Sequence, residues 1–367
     1  MSKITMPTAK FQDMVARANK GASENKLLPI TSMMLIQLQD NVLSLMTTDT
    51  SNYLTIMSDK VPGENFYVVV PVDIFSKLVS KMTSESITME LKESGLEVKG
   101  NGSYHIPIPM DEDGPIRFPS YKFDAPELAQ TIELTSVKNI LEINKASLAR
   151  SIETPCLCGY YLSDYVITTN EEVICFNGMR VMDGDYLISP DMMELLALSK
   201  EEKISCAYND GMFLFKTPDM MLYGPEHDGK DLYPLSDIMG HREVEYPSMC
   251  RLPKLLLKSV IDRLSLFIEA YDKNGAYFTF TKDGVRITSK RSASVETVNY
   301  LESKNFTPFM CCVDIPMLKS QIDSTPADSI ELHYGSEVAI KLVSDKVTRI
   351  LALLEDENLG DENGKSE

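Results

Sequence analysis

A chain of 367 residues with 43% apolar side chains can fill two or three ordinary domain cores without disulfides or metals. No window approaches the roughly 18–20 consecutive apolar residues of a membrane span, and the start, MSKITMPTAKFQDMV, lacks a signal-peptide apolar run. The net charge of −18 argues against an ordinary basic nucleic-acid binder, although net charge does not say where each sign sits. Seven cysteines without framework spacing predict buried thiols in a reducing cytoplasm, with no zinc-type cluster.

Taken in chain order, the elements repeat. Phe11, Met14, Val15 and Ala18 mark a half-buried helix over 8–20. The strand pattern VLSLMTTDTSNYLTIM follows, and then VVVPVDIFSKLV (68–79), a β run turning into a second helix over 71–83. The hairpin SITMELKESGLEVKG comes next, and Phe118-Pro119 stands near the end of this first unit. Val137, Ile140 and Leu141 open a new helix over 136–150. YLISPDMMELLAL (186–198), the hairpin KISCAYNDGMFLFKT and Tyr233-Pro234 then repeat the grammar. Leu257, Val260, Ile261 and Leu264 begin the third round over 252–268, followed by MCCVDIPMLKSQI (310–322) and SIELHYGSEVAIKLVS. The hairpin starts at Ile87, Ile204 and Ile330 are 117 and then 126 residues apart. Three copies of one unit follow from this, an α+β fold of three tandem domains, each with two helices on an antiparallel sheet. The expected boundaries are 1–128, 129–244 and 245–356, with an acidic, disordered tail over 357–367.

Charge is segregated among these elements. The six helices together carry about +5, which leaves about −23 for strands and loops. Lys200 and Lys319 enter this sum, and the cations expected to face phosphates are Lys10, Arg17, Lys20, Lys77, Lys81, Lys138, Lys145, Arg150, Lys254, Lys258 and Arg263. Amphipathic helices ordinarily carry lysines into solvent. If all six helices faced one opening, however, that opening would be mildly positive inside a strongly negative shell. Such a surface attracts phosphates weakly and without sequence readout.

With this order and spacing the chain resembles the beta subunit of bacterial DNA polymerase III, the sliding clamp, from about residue 4 to 354. The resemblance is carried by Leu28-Pro29-Ile30, LSLMTTDT (43–50), VVVPVDIFSKLV (68–79), FPSY (118–121), NGMRV (177–181), ISPDMMELL (188–196) and VTRILALL (347–354). Its divergence fits a bacteriophage clamp better than a housekeeping one. The resemblance implies a head-to-tail homodimeric ring around duplex DNA, with the helices lining the hole. Partners would be the DNA, a DNA polymerase and a clamp loader, with no membrane and no cofactor. Family positions at the dimer contact fall on Tyr104, Ile106, Phe267 and Ile268. Those of a client-peptide pocket between the second and third domains fall on Leu157, Gly178, Met179, Arg180, Val181, Val338, Ile340, Ile350 and Leu351. Gly178 would permit a tight turn there, and Met179 an adaptable wall. Arg150 matches a DNA-contacting loop position and Lys26 lies beside another, whereas Asp73 and Asp191 replace basic residues of the family. The acidic tail is a further departure.

No catalytic constellation emerges. His105, His227, His241 and His333 are far apart, and no GxSxG, Walker or GxGxxG motif is present. The expectation is a non-catalytic polymerase processivity factor in the cytoplasm; the alternative is a repeat-built protein scaffold unrelated to DNA.

Overall fold

The computed structural model describes residues 3–25, 27–111, 114–119, 130–151, 153–267, 274–290 and 294–356. Seven α-helices stand among them: α1 (Thr8–Ala18), α2 (Val72–Ser80), α3 (Leu134–Asn144), α4 (Pro190–Leu196), α5 (Leu235–Glu243), α6 (Lys254–Leu264) and α7 (Ile315–Asp323). All but α5 overlap the expected helices. The tail over 357–367 lies outside the described residues, as do Ser120 and Tyr121 of the FPSY match. None of the described helices is long and apolar enough to cross a membrane.

One corner recurs. Strands ending at Pro7, Pro71 and Pro253 turn straight into α1, α2 and α6 with the proline as N-cap. A proline there fixes φ near −65° and supplies no N–H, so it ends the strand ladder without stranding a donor. At α7 the same position is Asp314, whose carboxylate accepts from the Met317 N–H at 2.7 Å. That is the side-chain cap that a proline cannot make. The three expected hairpins also form: Ser86–Lys92 with Gly95–Lys99, Lys203–Asn209 with Met212–Lys216, and Ser329–Tyr334 with Ala339–Ser344. Asp210 and Gly211, both at positive φ, make the second of these turns.

The chain divides into two compact units. The first comprises residues 1–137 and 191–226. Its eight-stranded sheet pairs Met220–Pro225 with Tyr53–Lys60, so strands expected in the middle copy continue the sheet of the first. A four-stranded sheet ends in Ser103–Pro107. Helices α1 and α2 pack together through Phe11 and Phe75, whose rings meet edge-on at 5.9 Å. The amide of Gln12 on α1 donates to the carbonyls of Val79 and Met82, both at 2.9 Å, and so satisfies the end of α2.

The second unit comprises residues 138–190 and 227–367. A nine-stranded sheet runs through it, with Val173–Asn177 paired to the last strand, Val347–Ala352. A separate four-stranded sheet ends in Val295–Asn299. The expected middle copy, 129–244, is therefore shared between two continuous sheets, because ladder hydrogen bonds run across both expected boundaries.

Arg349 sits in that pairing with 1% of its surface exposed and no carboxylate partner among the described residues. Its guanidinium donates to the Ser324 carbonyl (3.0 Å), the Ile143 carbonyl (3.3 Å) and the Thr325 hydroxyl (2.9 Å). The two carbonyls belong to the last turn of α3 and the end of α7, where helix dipoles are negative. Two helix ends thus take the place of a counter-ion. Burial pulls Arg349 below its ordinary pKa, while the neighbouring Cys175 opposes that shift. Arg349→Met should leave these carbonyls without a donor and cost about 2–4 kcal/mol. Chemical denaturation checks this, with Arg349→Lys expected to recover part of the loss.

Candidate functional site

The cations come first, since the sequence singled them out as phosphate contacts. Several are already paired with acids of the same unit. Lys10 holds Asp59, Lys77 holds Asp73 one helical turn away, and Arg263 grips Glu296 with both ends of its guanidinium. Helices α6 and α7 are tied by reciprocal bridges, Lys258 with Asp323 and Lys319 with Asp262. Asp323 holds the Lys258 ammonium above its usual pKa, and Lys319 holds the Asp262 carboxyl below its own. Lys254 is turned to the Thr325 carbonyl at the end of α7.

Arg17 needs correction as a solvent-facing contact. Its side chain is 10% exposed, and its guanidinium is bound to Asp219 at 2.7 Å. An arginine buried to this degree must keep its carboxylate, because desolvating it alone costs more than a phosphate passing in water returns. Lys20, Lys81, Lys138 and Arg150 are exposed and make no ion pair among the described residues. Lys145 is exposed as well and lines a cavity of about 650 Å³ with Arg150, Glu142, Asn170 and Ser320. Lys26 lies outside the described residues.

The pocket residues all fall in the second unit, but not on one surface. Successive side chains of a strand point to opposite faces. On the last strand Ile350 therefore joins Leu157, Tyr161, Phe176 and Tyr233 in one apolar cluster. Leu351 and its cross-strand partner Ile340 join α6 and α7 in another, fully buried. Leu157 and Ile350 are thus together, while Ile340 and Leu351 back the sheet from behind. Val338 is 72% exposed, Arg180 is exposed, and Met179 and Val181 are half-buried. Gly178 is needed for its size rather than for a turn. Its φ is not left-handed, but a Cβ would stand 2.8 Å from the Lys346 carbonyl, to which its N–H donates at 2.9 Å.

Helix α5, absent from the sequence expectations, forms a wall here. Ile238 is buried in the Leu157–Ile350 cluster, and Leu235 and Met239 pack half-buried against it. The far end of α5 is fastened twice. The Arg242 guanidinium lies 4.4 Å from the centre of the Tyr165 ring. The Lys341 ammonium donates to the carbonyls of Val244 (2.7 Å) and Arg242 (3.1 Å). Burial, with Arg242 close by, pulls Lys341 below its ordinary pKa. The Leu235, Ile238, Met239 spacing was the available signal, and Gly240 weakened it. A cavity of about 410 Å³ opens between α5 and the Ser163–Tyr165 turn, with Arg180 and Asp185 on its rim.

Two sheet edges, one in each unit, carry the residues expected at a dimer contact. On Ser103–Pro107, Tyr104 is 40% exposed, whereas Ile106 is buried opposite Leu96. Beside this edge Glu97 is held down to a pKa of about 2 by Lys92, Ser103 and Lys99. In the other unit, Leu266 and Phe267 are 80% and 51% exposed, and Val295 opens the edge strand Val295–Asn299. Ile268 lies outside the described residues. No group of three or more His, Cys, Asp or Glu among the described residues could hold a metal.

The comparisons agree with this architecture. The chain superimposes on the DNA polymerase sliding clamp of Bacillus subtilis with a TM-score of 0.86 at 14% identity, covering 97% of this chain and 99% of that one. The DNA polymerase III beta subunit of Thermotoga maritima gives 0.85 at 14%, covering 97% and 100%. The sliding clamp of Pseudomonas aeruginosa gives 0.84 at 13%, again with 97% and 100%. No curated protein sequence matches significantly. The chain thus has the sliding-clamp fold, α+β and mostly sheet. Residues 2–115 match the family model described as DNA polymerase III beta subunit, N-terminal domain.

The two kinds of ion pair should respond differently. Asp219→Asn strands the buried Arg17 charge and should cost about 2–3 kcal/mol in denaturation. Asp59→Asn breaks an exposed pair and should leave the denaturation midpoint essentially unchanged.

Proposed function

We propose that this protein is a non-catalytic sliding clamp, a homodimeric ring that encircles duplex DNA in the cytoplasm and tethers a DNA polymerase at the replication fork. The observation that carries the reading is the likeness to sliding clamps over 97% of the chain, joined to the family match of residues 2–115. Three domains, 1–128, 129–244 and 245–356, build each half-ring, and a clamp loader opens it. The subunits meet head to tail, the edge strand Ser103–Pro107 of one pairing with Val295–Asn299 of the other. Tyr104 then covers Leu266, Phe267 and Val295, and Ile106 supports the edge from the core. An isolated strand edge with apolar neighbours is what such pairing requires.

The helices face the hole. Lys20, Lys81, Lys138 and Arg150 supply its positive potential, and Lys145 and Lys26 add to it. Lys10, Lys77, Lys254, Lys258 and Arg263 are tempered by their own partners, so the hole attracts DNA without gripping it. A client peptide enters over Leu157, Gly178, Met179, Arg180, Val181, Val338 and Ile350, with Leu235 and Met239 as a further wall. Ile340 and Leu351 support this groove through the sheet. An extended peptide with apolar anchors suits such a surface.

Light scattering should give twice 41.2 kDa for the purified protein. Replacing Tyr104 and Val295 by arginine should halve that mass while the secondary structure stays intact. Met239→Glu should preserve the dimer and abolish stimulation of the cognate polymerase. A monomeric wild type would refute the ring, and undiminished stimulation by Met239→Glu would refute the groove.

A further inference from the structure

Helix α5 is held at its two ends by different forces. At the near end Ile238 is buried, and Leu235 and Met239 are half-buried, against the cluster of Leu157 and Ile350. Past Gly240 the chain turns polar and exposed at Glu243, Val244 and Glu245. A cavity of about 570 Å³ opens between this segment and Glu331, His333, Val343 and Thr348 of the sheet. Gly240 weakens the helix between the two ends, since only proline favours a helix less.

Lys341 reaches across that cavity. On the strand Ala339–Ser344 its neighbours Ile340 and Leu342 enter the core with α6 and α7. Alternation turns Lys341 to the opposite face, between His333 and Ile350 on the flanking strands. Its ammonium donates to the carbonyls of Val244 at 2.7 Å and Arg242 at 3.1 Å, and lies 4.9 Å from the centre of the Tyr246 ring. All three contacts fall within Arg242–Tyr246, the segment that leaves the C-terminal end of α5, where a cation is favoured. The Arg242 guanidinium lies in turn 4.4 Å from the Tyr165 ring centre and 6.0 Å from that of Phe176. Arg242 is gripped by its carbonyl from one strand and by its side chain from two others.

We propose that Lys341 is a positioning residue of the client groove: by holding Arg242 and Val244 it fixes α5 at the distance from Ile350 at which Leu235 and Met239 seat an apolar anchor. The inference rests on the client-groove reading above, and Lys341 acts through α5 rather than on the client. Without the ammonium, α5 stays attached through Ile238 while its far half opens over the cavity. A client must then select the positioned fraction, and its apparent affinity falls by that fraction. A wall fixed beforehand removes this cost from binding.

The test pairs hydrogen exchange with clamp titrations of polymerase stimulation, both on the full-length protein. Lys341→Met keeps the apolar stem of the side chain and removes the charge. Amides of α5 should then exchange about tenfold faster, while those of Val173–Asn177 keep their protection. The clamp concentration giving half-maximal stimulation of the cognate polymerase should rise about fivefold, with the plateau and the mass in solution unchanged. Lys341→Arg still carries donors for both carbonyls and should restore exchange and half-saturation together. Unaltered exchange in α5 would contradict the fastening. Faster exchange at an unchanged half-saturation would contradict its use by the client. Loss of protection throughout the sheet, or no recovery with arginine, would make Lys341 a general support of the fold and overturn the proposal as well. Met239→Glu separates the two readings. If it abolishes stimulation and Lys341→Met leaves half-saturation unchanged, this inference fails alone. If Met239→Glu leaves stimulation intact, the groove reading fails and takes this inference with it.

Discussion

The hydrogen-bonded ladder between Val173–Asn177 and Val347–Ala352 is the constraint on which the second unit depends. It joins Val173–Asn177 to a strand about 170 residues further on, so the sheet closes only once Val347–Ala352 has been made. Its register decides three things together. Arg349 is buried opposite Cys175 and ends α3 and α7, Ile350 faces the Leu157 cluster, and Leu351 faces α6 and α7. A slip of one residue would reverse these faces, putting a guanidinium into an apolar core. The same pairing therefore sets both the fold of the unit and the floor of the candidate groove.

Electrostatics divides into two regimes. Arg17 with Asp219 and Arg349 with two helix ends are buried arrangements in which the partner is obligatory. The bridges of Lys10, Lys77 and Lys258 are solvated and contribute little to stability. Their consequence lies in the field they leave behind. A helix lysine with a carboxylate beside it presents less than a full charge to its surroundings. Within each unit, neutralisation of these helix cations is local and pairwise.

Much of the fold was legible in the residues. Regular spacing of apolar stripes, the recurring run of β residues into a helix and three Gly- or Asp-bearing turns located six helices and three hairpins, since each rests on local physics. The sharing of the middle copy between two sheets was not legible. Pairing of Met220–Pro225 with Tyr53–Lys60 joins residues more than 150 positions apart, and no local pattern encodes a partner at that distance. At the site, Leu157 and Ile350 were found by resemblance and do lie together, whereas Ile340 and Leu351 fall behind the sheet. Charge counting gave Arg17 and Lys20 equal weight. Only three-dimensional proximity to Asp219 distinguishes them. Helix α5 escaped notice because Gly240 and a mostly polar surface blur its short apolar stripe.

The ring claim is tested most directly by topology. Labelled protein, loaded by the cognate loader onto nicked circular DNA and freed of unbound material by gel filtration, should remain with the DNA. A single restriction cut should then release it within minutes at unchanged salt. Equal retention on circular and linear molecules, or none on either after loading, would contradict a closed ring around the duplex.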